Sequence, residues 1–96
     1  MESGIYHKHN FLKFRLMEVC VQIDRQPITT REWSILLNVP INSIESALCY
    51  YEKKGIPYFR RLPKKDGNKY RYKLTDKGFK AYLIYRERIL KGFDLN

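Results

Sequence analysis

The most constraining feature of this chain is the order of local signals between residues 29 and 78. Residues 29–32 (TTRE) match a capping box, in which the Thr29 hydroxyl and the Glu32 carboxylate each accept a hydrogen bond from a free amide at a helix start. This short helix is predicted to end at residues 38–40 (NVP), because proline pushes the residue before it out of the helical region. A second helix, a basic hairpin and the start of a third helix follow, and few folds accommodate that order.

The second helix is predicted over about residues 40–54. Its inward face has the i, i+3, i+4 and i+7 spacing of an amphipathic helix and consists of Ile44, Ala47, Leu48 and Tyr51. Gly55 suits the left-handed position just past a helix end, which predicts a stop there. The opposite face carries short or small side chains, namely Asn42, Ser43, Glu45, Ser46 and Cys49. Short side chains allow this helix to approach a partner closely.

A hairpin is predicted next, with strands over residues 58–62 and 69–74 and an Asp66-Gly67 turn signal between them. Along the second strand apolar and cationic side chains alternate, so one face of the hairpin is apolar and the other cationic. The apolar residues are Tyr70, Tyr72 and Leu74, and the cationic residues are Lys69, Arg71 and Lys73.

The charge of the chain is concentrated in the same region. Residues 1–50 carry five Lys or Arg and five Asp or Glu, so the whole formal charge of +9 belongs to residues 51–96. Asp66 is the one acid among nine cations, which are Lys53, Lys54, Arg60, Arg61, Lys64, Lys65, Lys69, Arg71 and Lys73. A charge this local indicates a polyanionic partner, and a merely solvated hairpin is the alternative.

Two further helices are predicted at the ends of the chain. They cover residues 10–24, with Asn10 as N-cap, and residues 76–91, with Thr75 as N-cap. Each carries two apolar stripes. In the first helix, one stripe consists of Leu12, Leu16, Val19, Cys20 and Ile23, and the other of Phe11, Phe14, Met17 and Val21. In the last helix, one stripe consists of Phe79, Leu83 and Leu90, and the other of Tyr82, Tyr85 and Ile89. The surplus apolar surface predicts a homodimer, and its interface residues are predicted to be Phe14, Met17, Tyr82, Tyr85 and Ile89. The alternative is that these stripes close a larger core within one chain.

Three short motifs resemble those of known regulators. Residues 39–48 (VPINSIESAL) and 51–56 (YEKKGI) resemble the recognition helix of MarR-, ArsR- and PadR-like winged-helix regulators. Residues 74–78 (LTDKG) look like the Leu-Thr-x-x-Gly that follows the wing in the same superfamily, and the match covers residues 29–78, about half the chain.

The resemblance implies an α+β, mainly α fold. This is the winged helix-turn-helix, with a three-helix core, a two-stranded wing hairpin and here an extra C-terminal helix. Residues 1–96 are then expected to form a single DNA-binding domain with dimerisation helices at both ends. Such a homodimer places two recognition helices in successive major grooves of double-stranded DNA, with the wings on the flanking backbone.

The resemblance also implies which residues touch DNA. The base-reading positions fall on Ile41, Asn42, Ser43, Glu45 and Ser46, and the backbone contacts of the basic wing are expected at Arg60, Arg61, Lys64, Lys65, Lys69, Arg71 and Lys73. Asn42 can pair with adenine, whereas Glu45 can accept from a cytosine amine but also repels phosphate. These regulators often carry Arg or Gln on this helix, and the present chain has neither.

The sequence therefore predicts sequence-dependent binding of double-stranded DNA by a small transcriptional regulator. One alternative is a winged-helix module that binds other proteins, which an exposed apolar patch on the wing would favour. A second alternative is a non-specific DNA- or RNA-binding protein that stacks bases on Tyr58, Tyr70 or Tyr72, although packing beneath the sheet is the more ordinary use of these rings.

Enzymatic activity is not predicted. His7 and His9 have no accompanying carboxylate pair or nucleophile, no glycine-rich phosphate loop is present, and neither a cofactor nor a metal is expected. Cys20 and Cys49 are expected to remain free thiols in a reducing compartment. No apolar run approaches the ~20 residues of a membrane span and no signal peptide pattern begins the sequence, so a cytoplasmic protein is expected.

Overall fold

The computed structural model describes residues 8–63 and 70–90, with side chains from residue 11 onward. Within these ranges the elements are α1 (Lys8–Gln22), α2 (Thr30–Leu37), α3 (Ile41–Lys53), β1 (Phe59–Leu62), β2 (Arg71–Leu74) and α4 (Asp76–Leu90). Helices α2 and α3 pack on each other, β1 pairs with β2, and α4 packs on α1. The predicted mainly helical α+β architecture is confirmed.

The start of α2 has the predicted capping box. The Glu32 amide donates to the Thr29 hydroxyl (3.1 Å), and the Thr29 amide donates to the Glu32 carboxylate (2.8 Å). Asn38 ends the helix in the left-handed conformation, with a φ of 55°. The turn before α3 is therefore as tight as the sequence predicts.

A Schellman motif ends α3. The Ile56 amide donates to the Tyr51 carbonyl (2.8 Å), the Gly55 amide donates to the Glu52 carbonyl (3.1 Å), and Gly55 has a φ of +68°. Glycine is favoured here because the left-handed conformation places the Cβ of other residues too close to the backbone. The predicted inward face of α3 is buried, as Ile44, Ala47, Leu48 and Tyr51 all belong to the core.

Strands β1 and β2 form an antiparallel wing in which Phe59 pairs with Leu74 and Arg60 with Lys73. The strands are shorter than predicted. The turn at Asp66-Gly67 and the cations Lys64, Lys65 and Lys69 lie outside the described residues. Ile28 adds a single bridge to Tyr72, exchanging both backbone hydrogen bonds with it (2.9 and 2.8 Å).

Trp33 is the centre of the core and is fully buried. Its indole N–H donates to the Leu16 carbonyl at 3.2 Å, which ties α2 to α1. The rings of Phe59 and Tyr72 lie against it, with centroids 5.6 and 5.9 Å away. One face of the wing is thereby anchored to the helical core.

Helix α1 begins and ends two residues before the predicted bounds, and Asn10 lies within it rather than capping it. The early end has a physical reason, because Asp24 and Arg25 both adopt left-handed conformations, with φ values of 63° and 59°. The Arg25 amide donates to the Cys20 carbonyl, and its guanidinium donates to the Leu74 carbonyl (3.1 Å) and to the Asp76 carboxylate (2.9 Å). The sequence predicts a helix end from residues 25–27 (RQP), but it does not predict the left-handed turn, which the two bonds of the guanidinium help to hold.

Helix α4 begins at the Thr75 cap, where the Thr75 hydroxyl accepts from the Gly78 amide at 3.0 Å. Gly78 is buried against the chain just before the wing. A Cβ at this position would collide with the Tyr58 carbonyl oxygen and lie 2.6 Å from the Leu74 side chain. Only glycine therefore allows the helix to approach the wing this closely.

Packing between α1 and α4 changes the interpretation of the apolar stripes. The rings of Phe14 and Tyr82 stack with centroids 5.4 Å apart, and Phe14, Met17 and Tyr82 are all buried within the single chain. Three of the five residues predicted for the dimer interface therefore lie in the core of the single chain, in agreement with the alternative prediction of a larger core. Lys13 is buried beside them, with its ammonium 5.1 Å from the ring centre of Tyr58 and 5.3 Å from that of Tyr85.

Candidate nucleic-acid interface

The exposed face of α3 brings together all five predicted base-contact residues. Ile41, Asn42, Ser43, Glu45 and Ser46 are all exposed. Because the opposite face of the helix is buried in the core, this face has a fixed orientation. It presents amide, hydroxyl and carboxylate groups, which are the groups that hydrogen-bond to base edges.

Two residues that were not among the predicted contacts extend the same face. A shallow surface along α3 includes Tyr50 and Lys53 beside Asn42 and Ser46. The helical period gives the signal for both, since Tyr50 lies four residues after Ser46 and Lys53 four residues after Cys49. Lys53 places a positive charge at the C-terminal end of α3, a helix that contains no Arg or Gln.

The wing divides its described cations between its two faces. Alternation along the strands places Arg60, Lys73 and Arg71 on the outward face, while Phe59 and Tyr72 face Trp33. Arg60 lies directly opposite Lys73 in the register, and neither forms an ion pair among the described residues. Like charges held opposite each other on a sheet repel, and an anion between them relieves that repulsion.

Arg61 differs from the other predicted backbone contacts. It lies on the inward face, where its guanidinium is 3.5 Å from the Glu52 carboxylate and 4.5 Å from the ring centre of Tyr70. Arg61 therefore links the wing to α3, and the outward cationic surface consists of Arg60, Arg71 and Lys73 within the part of the chain that the structure describes.

A groove runs between α3 and the inward face of the wing, and we call it the helix–wing groove. Its volume is about 480 Å³. It is lined by Glu45, Leu48, Cys49, Tyr51, Glu52, Gly55, Ile56, Pro57, Phe59, Arg61 and Tyr72. Burial raises the pKa of the Tyr51 hydroxyl, so this ring stays neutral at physiological pH.

The tyrosines considered for base stacking differ in accessibility. Tyr58 and Tyr72 are half-buried and pack against the core, whereas Tyr70 is exposed and carries the Arg61 guanidinium on its ring. Among the described large apolar side chains, the four most exposed lie on α2 and α4 rather than on the wing strands, and they are Ile35, Leu36, Ile84 and Leu90. Among the helices that the structure describes, none combines the length and the hydropathy that a membrane crossing requires.

A solved structure with the same arrangement of elements is that of the transcriptional regulator BldR from Sulfolobus solfataricus. It superposes with a TM-score of 0.70 at 21% sequence identity, over 84% of this chain and 55% of BldR. The chain thus spans just over half the length of BldR. No family model and no curated protein sequence matches the chain. The structural similarity confirms the predicted winged helix-turn-helix fold.

Proposed function

We propose that this winged helix-turn-helix protein is a small transcriptional regulator that binds double-stranded DNA in a sequence-dependent manner. In this proposal α3 enters the major groove and the outward face of the wing lies along the phosphate backbone. Two observations carry the proposal: α3 has an exposed polar face, and the outward face of the wing carries Arg60 and Lys73, which form no ion pair among the described residues. The description of BldR as a transcriptional regulator supports it.

The side chains on α3 suit base readout by their length and chemistry. Asn42 can bond to both N6 and N7 of adenine, and Glu45 can accept from the N4 amine of cytosine. Ser43 and Ser46 can bond either to bases or to phosphates. Because all four are exposed on one face, the helix can enter the groove without rearrangement of the core.

We expect sequence preference to depend on this face. Asn42→Ala is expected to reduce discrimination between a selected duplex and a random duplex by about 1–3 kcal/mol. Ser46→Ala is expected to reduce it less, because a bidentate amide contact contributes more binding energy than a single hydroxyl contact. Non-specific affinity is expected to change little. The measurement is the ratio of the two dissociation constants at one salt concentration.

Gln22→Ala provides the matched control, since it removes an exposed polar side chain at the end of α1, away from α3. Its ratio of dissociation constants is expected to equal that of the natural protein. If Asn42→Ala weakens binding to both duplexes by the same factor, Asn42 contacts only the backbone and the assignment of base readout is wrong.

We further propose that two copies associate through the outward face of α4. Leu83, Ile84 and Leu90 are exposed there, with Leu90 71% exposed, and Ile89 is 40% exposed at the same end of the helix. Burying such side chains against a second copy removes apolar surface from water. Of the predicted interface residues, Phe14, Met17 and Tyr82 are buried in the core and Tyr85 packs against it, so Ile89 is the one that remains in this interface. To read two half-sites one turn of the duplex apart, such a dimer must hold its two recognition helices about 34–36 Å apart.

Charge placed on this face is expected to dissociate the dimer. The double variant Leu83→Glu and Ile84→Glu is expected to move the mass measured by light scattering from about twice 11.6 kDa to 11.6 kDa, since a carboxylate in an apolar contact costs more than the contact provides. Ile35→Glu, at a more exposed isoleucine of α2, is the control and should leave the mass unchanged. A natural protein that is monomeric at micromolar concentration contradicts the dimer.

A further inference from the structure

A groove separates the wing from α3. The wing packs on α1 through β2, whereas the helix–wing groove, with a volume of about 480 Å³, lies between its inward face and α3. At the root of the wing the contact is aromatic, since the rings of Tyr51 on α3 and Phe59 on β1 stack with centroids 6.0 Å apart. A two-stranded hairpin is only marginally stable by itself. Contacts across the groove therefore determine how firmly the wing keeps its angle to α3.

Arg61 crosses this groove. It lies two residues beyond Phe59 on the inward face of β1, and its guanidinium is 3.5 Å from the Glu52 carboxylate on α3. Among the described residues no other ion pair joins α3 to the wing. The two side chains are 45% and 65% exposed, so their pairing adds little to the stability of the fold. Its effect is instead on the relative position of the two elements.

Two tyrosines of the wing hold the Arg61 guanidinium in place. The ring centre of Tyr70 lies 4.5 Å from it, at the distance of a stacked pair. Tyr72 lies opposite Arg61 in the register. Burial raises the pKa of the Tyr72 hydroxyl, and the nearby guanidinium opposes part of that rise. Because the wing already orders the planar guanidinium, less conformational entropy is lost when Arg61 pairs with Glu52.

The same contacts make Arg61 a poor partner for phosphate. Its guanidinium already faces a carboxylate, and that carboxylate would repel a phosphate brought to the same place. Arg60 and Lys73 differ, since they lie on the outward face and form no ion pair among the described residues. These features favour a role for Arg61 other than the backbone contact that the resemblance implies.

We propose that Arg61 is a positioning residue. By pairing with Glu52 across the helix–wing groove, it holds the wing at the angle at which α3 and the outward face of the wing reach one duplex together. A wing that is already held at this angle does not have to be ordered when DNA binds, which increases affinity. This effect on affinity rests on the proposed function.

The first test measures the mobility of the wing in the free protein. Glu52→Gln keeps the size of the side chain and removes its charge. We expect it to lower the nitrogen-15 order parameters of the backbone amides of Arg61, Leu62 and Arg71, which report motion on the picosecond to nanosecond scale, and to leave those of the helices unchanged.

Glu45→Gln is the matched control for this test. It removes an exposed carboxylate two helical turns earlier on α3 that also lines the groove but forms no ion pair among the described residues. Order parameters that stay unchanged in Glu52→Gln, or that change equally in the two variants, would overturn the contact across the groove.

The second test measures duplex affinity. Electrostatic repulsion by itself predicts that removing a carboxylate near DNA raises affinity. The positioning role predicts the opposite for Glu52→Gln, whose affinity for a selected and for a random duplex is expected to fall about threefold, a loss within the range that an exposed charge pair produces. Glu87→Gln removes an exposed carboxylate of α4, outside the groove, and is expected to cause no loss. An affinity of Glu52→Gln equal to or above that of the natural protein would overturn the positioning role.

Arg61→Gln distinguishes positioning from a phosphate contact. We expect a lower affinity with a nearly unchanged slope of log affinity against log salt, whereas loss of a phosphate contact flattens the slope by about 0.9. The double variant of Arg61→Gln and Glu52→Gln is expected to bind no more weakly than Arg61→Gln, because both changes break the same pair. A slope flatter by about 0.9, or losses that add, would contradict the proposal.

Two further measurements separate the possible failures. The denaturant midpoints of Glu52→Gln and Arg61→Gln are expected to equal that of the natural protein, since the pair is exposed, and a loss of affinity that follows a lower midpoint would indicate a merely structural role. A protein whose wing becomes more mobile in Glu52→Gln but which binds no duplex at low salt would refute the proposed function and leave the contact between Arg61 and Glu52 standing.

Discussion

Replacing Arg60, Arg71 and Lys73 by alanine is expected to lower the affinity for every duplex by about 500-fold at about 0.1 M salt. Each phosphate contact releases about 0.9 counterion, so three contacts contribute about 2.7 to the slope of log affinity against log salt. Alternation along the strands places these three side chains on the outward face of the wing, where Arg60 lies directly opposite Lys73. Neither forms an ion pair among the described residues, although Asp24 and Asp76 line the same surface. The measurement is a salt titration of binding to a selected and to a random duplex, and both slopes should flatten by about 2.7.

The control for this experiment removes the same charge elsewhere. Alanine at Lys77, Lys80 and Arg86, which are exposed on α4, lowers the net charge of the chain by the same amount. We expect a much smaller change in slope from that variant, because distant charges are screened beyond about 10 Å at this salt concentration. Equal slopes for the two triple variants would show that net charge, rather than the wing, attracts DNA.

Gly78→Ala is expected to lower the free energy of unfolding by about 3 kcal/mol, which is large for a domain whose total stability is about 5–15 kcal/mol. The added Cβ would meet the Tyr58 carbonyl oxygen, which belongs to the backbone and cannot rotate away. Relief requires α4 to move off the chain that leads into the wing. Denaturant unfolding should show a lower midpoint, and thermal unfolding a midpoint lower by about 15 °C.

Gly55→Ala is the matched glycine variant. Nothing lies within 4 Å of a Cβ at that position, so its cost comes only from the left-handed φ of +68°. We expect about 1 kcal/mol there, a third of the effect at Gly78. If Gly78→Ala proves no more destabilising than Gly55→Ala, the close contact between α4 and Tyr58 does not exist in solution.

Elements with signals close together in sequence were predicted well. The capping box at Thr29 and Glu32 and the stop at Gly55 depend on side chains within one turn of the helix end, and both have the predicted geometry. The buried face of α3 and the alternation of the wing follow from the periods of a helix and a strand. The five base-contact candidates share one exposed face for the same reason.

Features that depend on distant residues were not predicted. The left-handed turn at Arg25 is held by Leu74 and Asp76, about fifty residues later in the chain. Likewise, Phe14 and Tyr82 were predicted to face a second copy but stack on each other, because a stripe does not reveal which apolar surface it meets. The alternation along β1 places Arg61 on the face opposite Arg60, but it does not reveal that the partner of Arg61 is Glu52 on α3. In each case the partner lies in another element, and the periodicity of the sequence does not indicate which elements are in contact.

The position of Trp33 gives this protein an internal optical probe. It is the one tryptophan of the sequence, and the rings that touch it, Phe59 and Tyr72, belong to the two strands of the wing. Indole emission depends on the polarity around the ring, so any movement that lifts the wing from the helices admits water to Trp33 and shifts its fluorescence to longer wavelengths. The emission wavelength of Trp33 in the unlabelled protein therefore reports, in real time, whether the wing is packed against the helices.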